Sequence, residues 1–193
     1  MSFSPLIAGS LSAALLAGVT VVAFSSLPEL WVWAAFVGWA SYDHSGANAK
    51  ALLTSSVCMV FGVVMAWLVA LIVAKGALPL SSTAASGIAA GIASFVIVFV
   101  SRFMPFSNVP ATFYGFASTF AFLLMMPNAF SIDALTSFAL RNAVLCVPPS
   151  LLIGSVLGVI HQRLALLLTA TAQRPVNPFA VRLTHPGRTS QKK

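Results

Sequence analysis

The chain contains interior runs of about 20 residues without a charged side chain, and this feature restricts its fold more than any other. A helix needs roughly that length to cross a hydrocarbon core roughly 30 Å thick. Of the 193 residues, 59% are hydrophobic and 7% are charged, whereas soluble domains carry roughly 25% charged residues. We therefore predict an all-α, polytopic integral membrane protein.

The hydrophobic pattern predicts about six transmembrane helices in a single transmembrane domain over residues 1–170. Pro28 and the polar residues 42–46 make the second helix short, and Pro148 with Pro149 predicts a kink in the sixth. Irregular backbone at membrane depth needs protein or a water-filled cavity around it, so both irregularities favour a lined cavity. The predicted segments are 5–24, 29–42, 50–74, 83–103, 108–126 and 137–169.

An internal repeat predicts how these helices are organised. Residues 28–41 (PELWVWAAFVGWAS) recur without a gap as residues 105–118 (PFSNVPATFYGFAS), 77 positions later. The match predicts two three-helix repeats, over about 5–75 and 83–169, with Gly62 matching Gly154 at a longer offset. Because each repeat has an odd number of spans, the second is expected to be inverted relative to the first.

The charge distribution predicts topology and partners. The net charge is +7, and half of the basic residues lie in the segment 171–193, which we expect to be a disordered cytoplasmic tail. Such a tail is typical of contact with anionic lipid headgroups, and without interleaved aromatic residues it does not favour nucleic acid. We therefore expect a multi-pass membrane protein with both termini in the cytoplasm.

Small residues on the two repeated helices predict a solute path. Gly38 and Ser41 share one face of the second helix, and Gly115 and Ser118 share the corresponding face of the fifth. We expect the two faces to meet near the membrane midplane, with hydroxyl groups along the path and aromatic rings around it. Ordinary helix packing is the alternative at each position, because small residues are common where membrane helices meet. The predicted path comprises Phe36, Gly38, Trp39, Ser41, Thr112, Phe113, Tyr114, Gly115, Phe116 and Ser118.

Other polar positions have two interpretations each. Tyr42, Asp43 and His44 form either a pore mouth with a pH-sensitive gate or a solvated loop. Asn108 and Asn142 are the amides expected at or near membrane depth, where each could bond a neighbouring helix.

The residue types argue against several functions. The sequence contains no metal-binding Cys/His spacing, no catalytic triad motif and no phosphate-binding glycine loop. We therefore expect no enzyme activity, no cofactor and no metal, and no disulfide between Cys58 and Cys146. No acidic residue lies in the middle of a predicted span, which disfavours ion-coupled transport.

These features together predict a channel or facilitator for a small, uncharged solute. Helix faces rich in small residues also favour a homo-oligomer within the lipid bilayer. The alternative is a membrane subunit or interaction protein that transports nothing and whose basic tail binds a partner or anionic lipid.

Three segments resemble the YcdZ-like family, a group of small, uncharacterised bacterial inner-membrane proteins. The closest match is VPATFYGFASTFA, at residues 109–121, and residues 39–50 and 149–158 match a helix junction and the last span of that family. The similarity covers most of residues 10–159, although residues 45–47 read Ser-Gly-Ala where the family is expected to have Gly-Gly. The resemblance implies a polytopic inner-membrane protein, and it supplies neither a substrate nor functional residues.

Overall fold

The computed structural model describes residues 3–172, and every regular element within that range is a helix. Six helices have 13 residues or more and one is a single turn, so the predicted all-helical class is confirmed for this part of the chain. The predicted tail at 171–193 lies almost entirely outside the described residues. The helices are α1 (Pro5–Ser25), α2 (Val32–His44), α3 (Ala49–Ala74), α4 (Ser82–Val100), α5 (Val109–Met125), α6 (Ile132–Leu135) and α7 (Ala143–Ala172).

Polar caps fix where the helices begin. The side chains of Asn48 and Asn108 precede α3 and α5 and accept hydrogen bonds from the amides of Ala51, at 2.9 Å, and Ala111, at 3.1 Å. Ser4 caps α1 in the same way. Each cap satisfies a backbone donor that has no partner inside its own helix.

The start of α7 differs from the prediction. The sequence predicts a helix over 137–169, whereas α7 begins at Ala143. The reason is Asn142, whose buried amide donates hydrogen bonds to the carbonyls of Leu135 and Ser137, both at 2.9 Å. These bonds hold the preceding segment in a turn, so the helix starts only after the asparagine.

The sequence predicts that the second helix is short and that two prolines interrupt the last one. α2 is short, at 13 residues, which corresponds to about 20 Å and is less than a hydrocarbon core. α7 contains Pro148 and Pro149, but it continues through both prolines as one helix of 30 residues.

Within residues 3–172, four helices are long and apolar enough to cross a membrane, namely α1, α3, α4 and α7. α5 is apolar but has only 17 residues. Large apolar side chains cover the outside of the bundle, such as Leu6, which is 79% exposed, and Phe95, which is 70% exposed. These apolar helices indicate a membrane protein, because lipid rather than water suits such a surface.

Two helix pairs form the centre of the bundle, α2 with α7 and α3 with α5. α1 packs on α7, and α4 packs on α3, so these two helices lie at the periphery. In each central pair two glycines lie against backbone carbonyls of the partner helix, where an added Cβ would be within 3.0 Å of backbone atoms. Only glycine permits this approach. The contacts are Gly38 on Leu151, Gly154 on Ala35, Gly62 on Thr112 and Gly115 on Met59.

Candidate functional site

The antiparallel interface between α2 and α5 contains buried hydroxyl groups that have no hydrogen-bond partner in the described structure. One contact at each end marks the limits of this interface. At one end the rings of Trp31 and Phe122 pack edge to face, with centroids 5.5 Å apart. At the other end the Asn108 amide donates a hydrogen bond of 2.8 Å to the hydroxyl of Ser45. Along α2 these two contacts are about 21 Å apart. We call the interface between them the α2/α5 seam.

Each end of the seam opens into a cavity. Trp31 and Phe122 line a cavity of about 520 Å³, which we call the Glu29 cavity, and Glu29 and Arg141 are part of its wall. The volume lies within the range of small-molecule sites. No ion pair joins Glu29 to Arg141 in the described part of the chain.

The opposite end of the seam opens into a smaller cavity of about 390 Å³, which we call the Asn108 cavity. Ser45 and Asn108, the hydrogen-bonded pair that marks this end, both line it, together with Lys50 and Thr54. The two ends of one helix interface therefore each open into a cavity with polar groups in its wall.

Two buried hydroxyl groups lie inside the seam, one near each end. Ser41 precedes Ser45 by one helical turn, and Ser118 precedes Phe122 by one turn, so each serine lies on the same side of its helix as the residue that marks the end of the seam. Their exposed fractions are 0% and 1%. Neither Oγ has a hydrogen-bond partner among residues 3–172.

A third hydroxyl of the same kind lies near the Asn108 cavity. Ser55 on α3 follows Ala51, a residue of the cavity wall, by one turn, and it too is fully buried with no partner for its Oγ in the described structure. A buried polar group without a partner destabilises a fold by about 1–3 kcal/mol. Packing alone therefore does not favour these three hydroxyl groups, two in the seam and one beside the Asn108 cavity.

The predicted path residues divide between the seam and other parts of the bundle. Ser41 and Ser118 lie in the seam, and Tyr114 lies at its edge, where its hydroxyl is 2.9 Å from Nδ1 of His44. Thr112 is buried, and its hydroxyl donates a hydrogen bond of 3.3 Å to the Asn108 carbonyl.

The two glycines do not face each other as the sequence predicts. Gly38 packs on α7 and Gly115 packs on α3, because each takes its closest contact from a different long helix. The two glycines of the repeat thus serve two separate helix crossings, whereas Ser41 and Ser118 lie between α2 and α5.

The other four of the five predicted aromatic residues have their ring contacts away from the seam. Trp39 stacks with Phe36 and lies beside His161 of α7, with ring centroids 5.1 Å apart. Phe116 and Phe113 join an apolar cluster with residues of α3 and α4. The described structure therefore does not bring these four rings together around the seam, because Trp39 packs on α7 and both phenylalanines of α5 pack on α3 and α4.

No pattern in the sequence identifies His161 as a candidate site residue. This residue lies in a candidate span, where its Nε2 is 3.2 Å from the carbonyl of Gly9 and its own carbonyl accepts a hydrogen bond of 2.9 Å from Ser12. The Glu29 cavity was missed as well. Both depend on contacts between distant segments, α1 with α7 and the 28–31 loop with residues 126–141, which no local pattern specifies.

A comparison with protein families finds a match over most of the chain. A family model described as a protein of unknown function (DUF1097) matches residues 10–166. The chain belongs to the DUF1097 family. No curated protein and no solved structure matches the chain. The residues matched by the DUF1097 model include those that line both cavities and the seam. The match is consistent with the predicted membership of an uncharacterised family. The finer assignment to the YcdZ-like family stays a prediction.

Proposed function

We propose that this DUF1097 protein is a facilitator for a small, uncharged solute, which passes along the α2/α5 seam between the Glu29 cavity and the Asn108 cavity. One observation carries the proposal: the two cavities lie at opposite ends of a single interface, with unpartnered hydroxyl groups between them. Ser41 and Ser118 are each about 6 Å inside their end of the seam, which leaves about 9 Å between their levels.

The contacts of the bundle support an arrangement of six spans as two inverted repeats. Exchanging α1 with α4, α2 with α5 and α3 with α7 converts each main helix contact into another one that is present. The glycine crossings obey the same exchange, since Gly38 corresponds to Gly115 at 77 positions and Gly62 to Gly154 at 92 positions. Their partners correspond as well: Leu151 to Met59 and Ala35 to Thr112.

The two cavities are also related by this exchange. Trp31 and Phe122 of the Glu29 cavity correspond to Asn108 and Ser45 of the Asn108 cavity. Inverted repeats of membrane transporters commonly form their solute site where the repeats meet, so an opening at each end is what a shared path requires. Our proposal places the Asn108 cavity on the cytoplasmic side, because the basic tail favours cytoplasmic termini.

The groups along the seam favour a solute without net charge. A serine hydroxyl donates one hydrogen bond and accepts up to two, so Ser41 and Ser118 in the seam and Ser55 beside the Asn108 cavity could replace some of the water that a polar molecule leaves behind. A charged solute would need stronger compensation than neutral hydroxyl groups give in a low-dielectric interior. Small amides and polyols match these groups best.

Stopped-flow flux through proteoliposomes tests the proposal. The panel contains small amides, polyols and weak acids, with empty liposomes as the reference. We expect flux of at least one neutral solute, reduced about tenfold in the double variant Ser41→Ala/Ser118→Ala, because its seam offers two fewer hydrogen bonds at about 0.5–1.5 kcal/mol each. Ser94→Ala is the matched control, since Ser94 lies on peripheral α4 and bonds the Ala90 carbonyl of its own helix.

Flux equal to that of empty liposomes for every solute would overturn the proposal. The interaction role would then gain support if deletion of residues 174–193 released a co-purifying partner or weakened binding to vesicles that contain anionic lipid. We propose no enzymatic activity and no cofactor, and we propose that the chain forms homo-oligomers in the bilayer.

A further inference from the structure

An apolar groove lies on the outside of the bundle where α3 meets α7. It has a volume of about 430 Å³, and all the side chains that line it are apolar except that of Ser56. The rings of Phe61 and Phe106 pack together in its wall, with centroids 4.8 Å apart. We call it the Phe61 groove, and its wall consists of Ser56, Val57, Val60, Phe61, Phe106 and Leu152.

The Phe61 groove continues the Asn108 cavity along one face of α3. Lys50 and Thr54 line the cavity, and Val57 and Phe61 line the groove. The intervals between these four residues are four, three and four, which places them on the same side of a helix. The loop before α5 joins the two walls as well, because Phe106 lines the groove and the residue after it lines the cavity. The cavity and the groove therefore form one surface that is polar at one end and apolar at the other.

The length of this surface matches one leaflet of a bilayer. α3 has 26 residues, or about 39 Å, so its ends extend beyond a hydrocarbon core roughly 30 Å thick when the helix is centred in it. Lys50 is the second residue of α3 and lies at the level of the headgroups, whereas Phe61 lies at the middle of the helix. The groove therefore ends near the bilayer midplane, about 17 Å below Lys50. One acyl chain of a phospholipid reaches this far, while a packed partner helix would follow α3 across both leaflets.

The polar end of the surface has a positive charge with no partner. Within residues 3–172, no hydrogen bond or ion pair engages the side chain of Lys50 or of Thr54. Among the described residues that line the cavity and the groove, none is acidic. Asp43, near the end of α2, lines a different cavity with His161. Since a basic residue at the membrane surface attracts anionic headgroups, this charge favours an anionic lipid over a zwitterionic one.

We propose that the Asn108 cavity and the Phe61 groove together bind one anionic phospholipid. Lys50 pairs with the phosphate, Thr54 donates a hydrogen bond to an oxygen near the glycerol backbone, and one acyl chain lies in the Phe61 groove. The residues along α3 thus follow the same order as the chemical groups of the lipid, from the charge through the polar linkage to the hydrocarbon. A headgroup in the Asn108 cavity would also narrow one mouth of the α2/α5 seam. That consequence rests on the proposed function, whereas lipid binding does not.

Native mass spectrometry of the full chain in a non-ionic detergent tests the headgroup site. The protein is titrated with phosphatidylglycerol or with phosphatidylcholine of the same acyl chains, and the dissociation constant of the first bound lipid is measured. We expect Lys50→Gln to weaken binding of phosphatidylglycerol about fivefold, which is the contribution of one basic residue near anionic lipid. Binding of phosphatidylcholine should not change. Lys75→Gln is the matched control, because it removes the same charge at the opposite end of α3 and should bind both lipids like the parent.

A second variant tests the Phe61 groove in the same titration. Val57→Phe fills part of the groove and should weaken binding of both lipids about tenfold, which corresponds to about two methylene groups that lose their contact. Val19→Phe is the control, since Val19 is 55% exposed on peripheral α1 and the change should affect neither lipid. Leu152→Trp fills the groove from α7 and gives the same test if Val57→Phe does not fold. Glycerol phosphate, a headgroup without acyl chains, should not bind at concentrations at which the lipid saturates the parent.

Three results would overturn the inference. The first is equal affinity of the parent and the Lys50→Gln chain for phosphatidylglycerol, and the second is an equal loss in Lys75→Gln. The third is a change of oligomeric state in Val57→Phe with lipid binding intact, which would show that a second copy of the chain covers the groove. None of these measurements needs a transported solute, so their failure leaves the proposed function in place, and a lack of flux leaves the lipid site in place.

Discussion

Substitution of Gly154 by alanine should destabilise the protein strongly, because the α2/α7 crossing has no room for a methyl group. A Cβ at this position would lie 2.9 Å from Cα of Ala35 and closer still to the carbonyl of that residue. Both obstructing groups belong to the backbone, so no side chain can rotate away. The two helices must separate instead.

The magnitude follows from two opposing terms. Overpacking of a close contact costs about 1–3 kcal/mol, and a contact with backbone belongs at the upper end, at about 3 kcal/mol. Alanine gains about 1 kcal/mol over glycine in helix propensity. The net loss is therefore about 2 kcal/mol, or about a 30-fold change in the unfolding equilibrium constant.

Equilibrium unfolding in mixed micelles with increasing SDS measures this difference. Gly18→Ala is the control, because a Cβ at Gly18 in α1 meets nothing within 4 Å, so only the propensity term applies. The two variants should differ by about 3 kcal/mol in the free energy of unfolding. If Gly154→Ala and Gly18→Ala unfold with the same free energy, the backbone contact between α2 and α7 is not as described.

Three further substitutions give expected outcomes in the same unfolding assay. Asn142→Ala should destabilise the fold by about 2 kcal/mol, because it removes two hydrogen bonds: the Ser137 carbonyl loses the Asn142 donor, and the Leu135 carbonyl keeps only its bond from the Trp67 indole; an unchanged midpoint would contradict this. Ser150→Ala should cost about 1 kcal/mol, since the Trp31 amide donates to that hydroxyl at 3.0 Å. Ser118→Ala should leave the free energy of unfolding unchanged or raise it, by at most about 1–3 kcal/mol, because it removes a buried hydroxyl that has no partner among the described residues; a loss as large as that of Asn142→Ala would contradict the unpartnered state.

The membrane class and most helix positions follow from the sequence because they depend on local properties. Uncharged runs of about 20 residues specify spans whatever their neighbours are. Glycine and proline near the helix ends, such as Gly76 and Pro127, place several boundaries within a few residues. The start of α7 could not be placed in this way, because it depends on bonds that Asn142 makes to residues in the preceding turn.

The candidate site could be predicted only in part, for a related reason. The repeat identifies Ser41 and Ser118 as equivalent, and both lie in the seam. It cannot say which partner each small residue takes, and Gly38 packs on α7 rather than on α5 because the long helix brings its own glycine to the same crossing. His161 and the Glu29 cavity arise from contacts between segments far apart in the chain, so their positions require the packed structure.

The sidedness of the two cavities tests the central claim most directly. Leu30→Cys lies in the Glu29 cavity and Ser107→Cys in the Asn108 cavity, and each is treated with a membrane-impermeant thiol reagent in sealed right-side-out vesicles and in inverted vesicles. We expect Leu30→Cys to react only in right-side-out vesicles and Ser107→Cys only in inverted ones. Reaction of both cysteines from the same side of the membrane would contradict a path that runs along the α2/α5 seam from one cavity to the other.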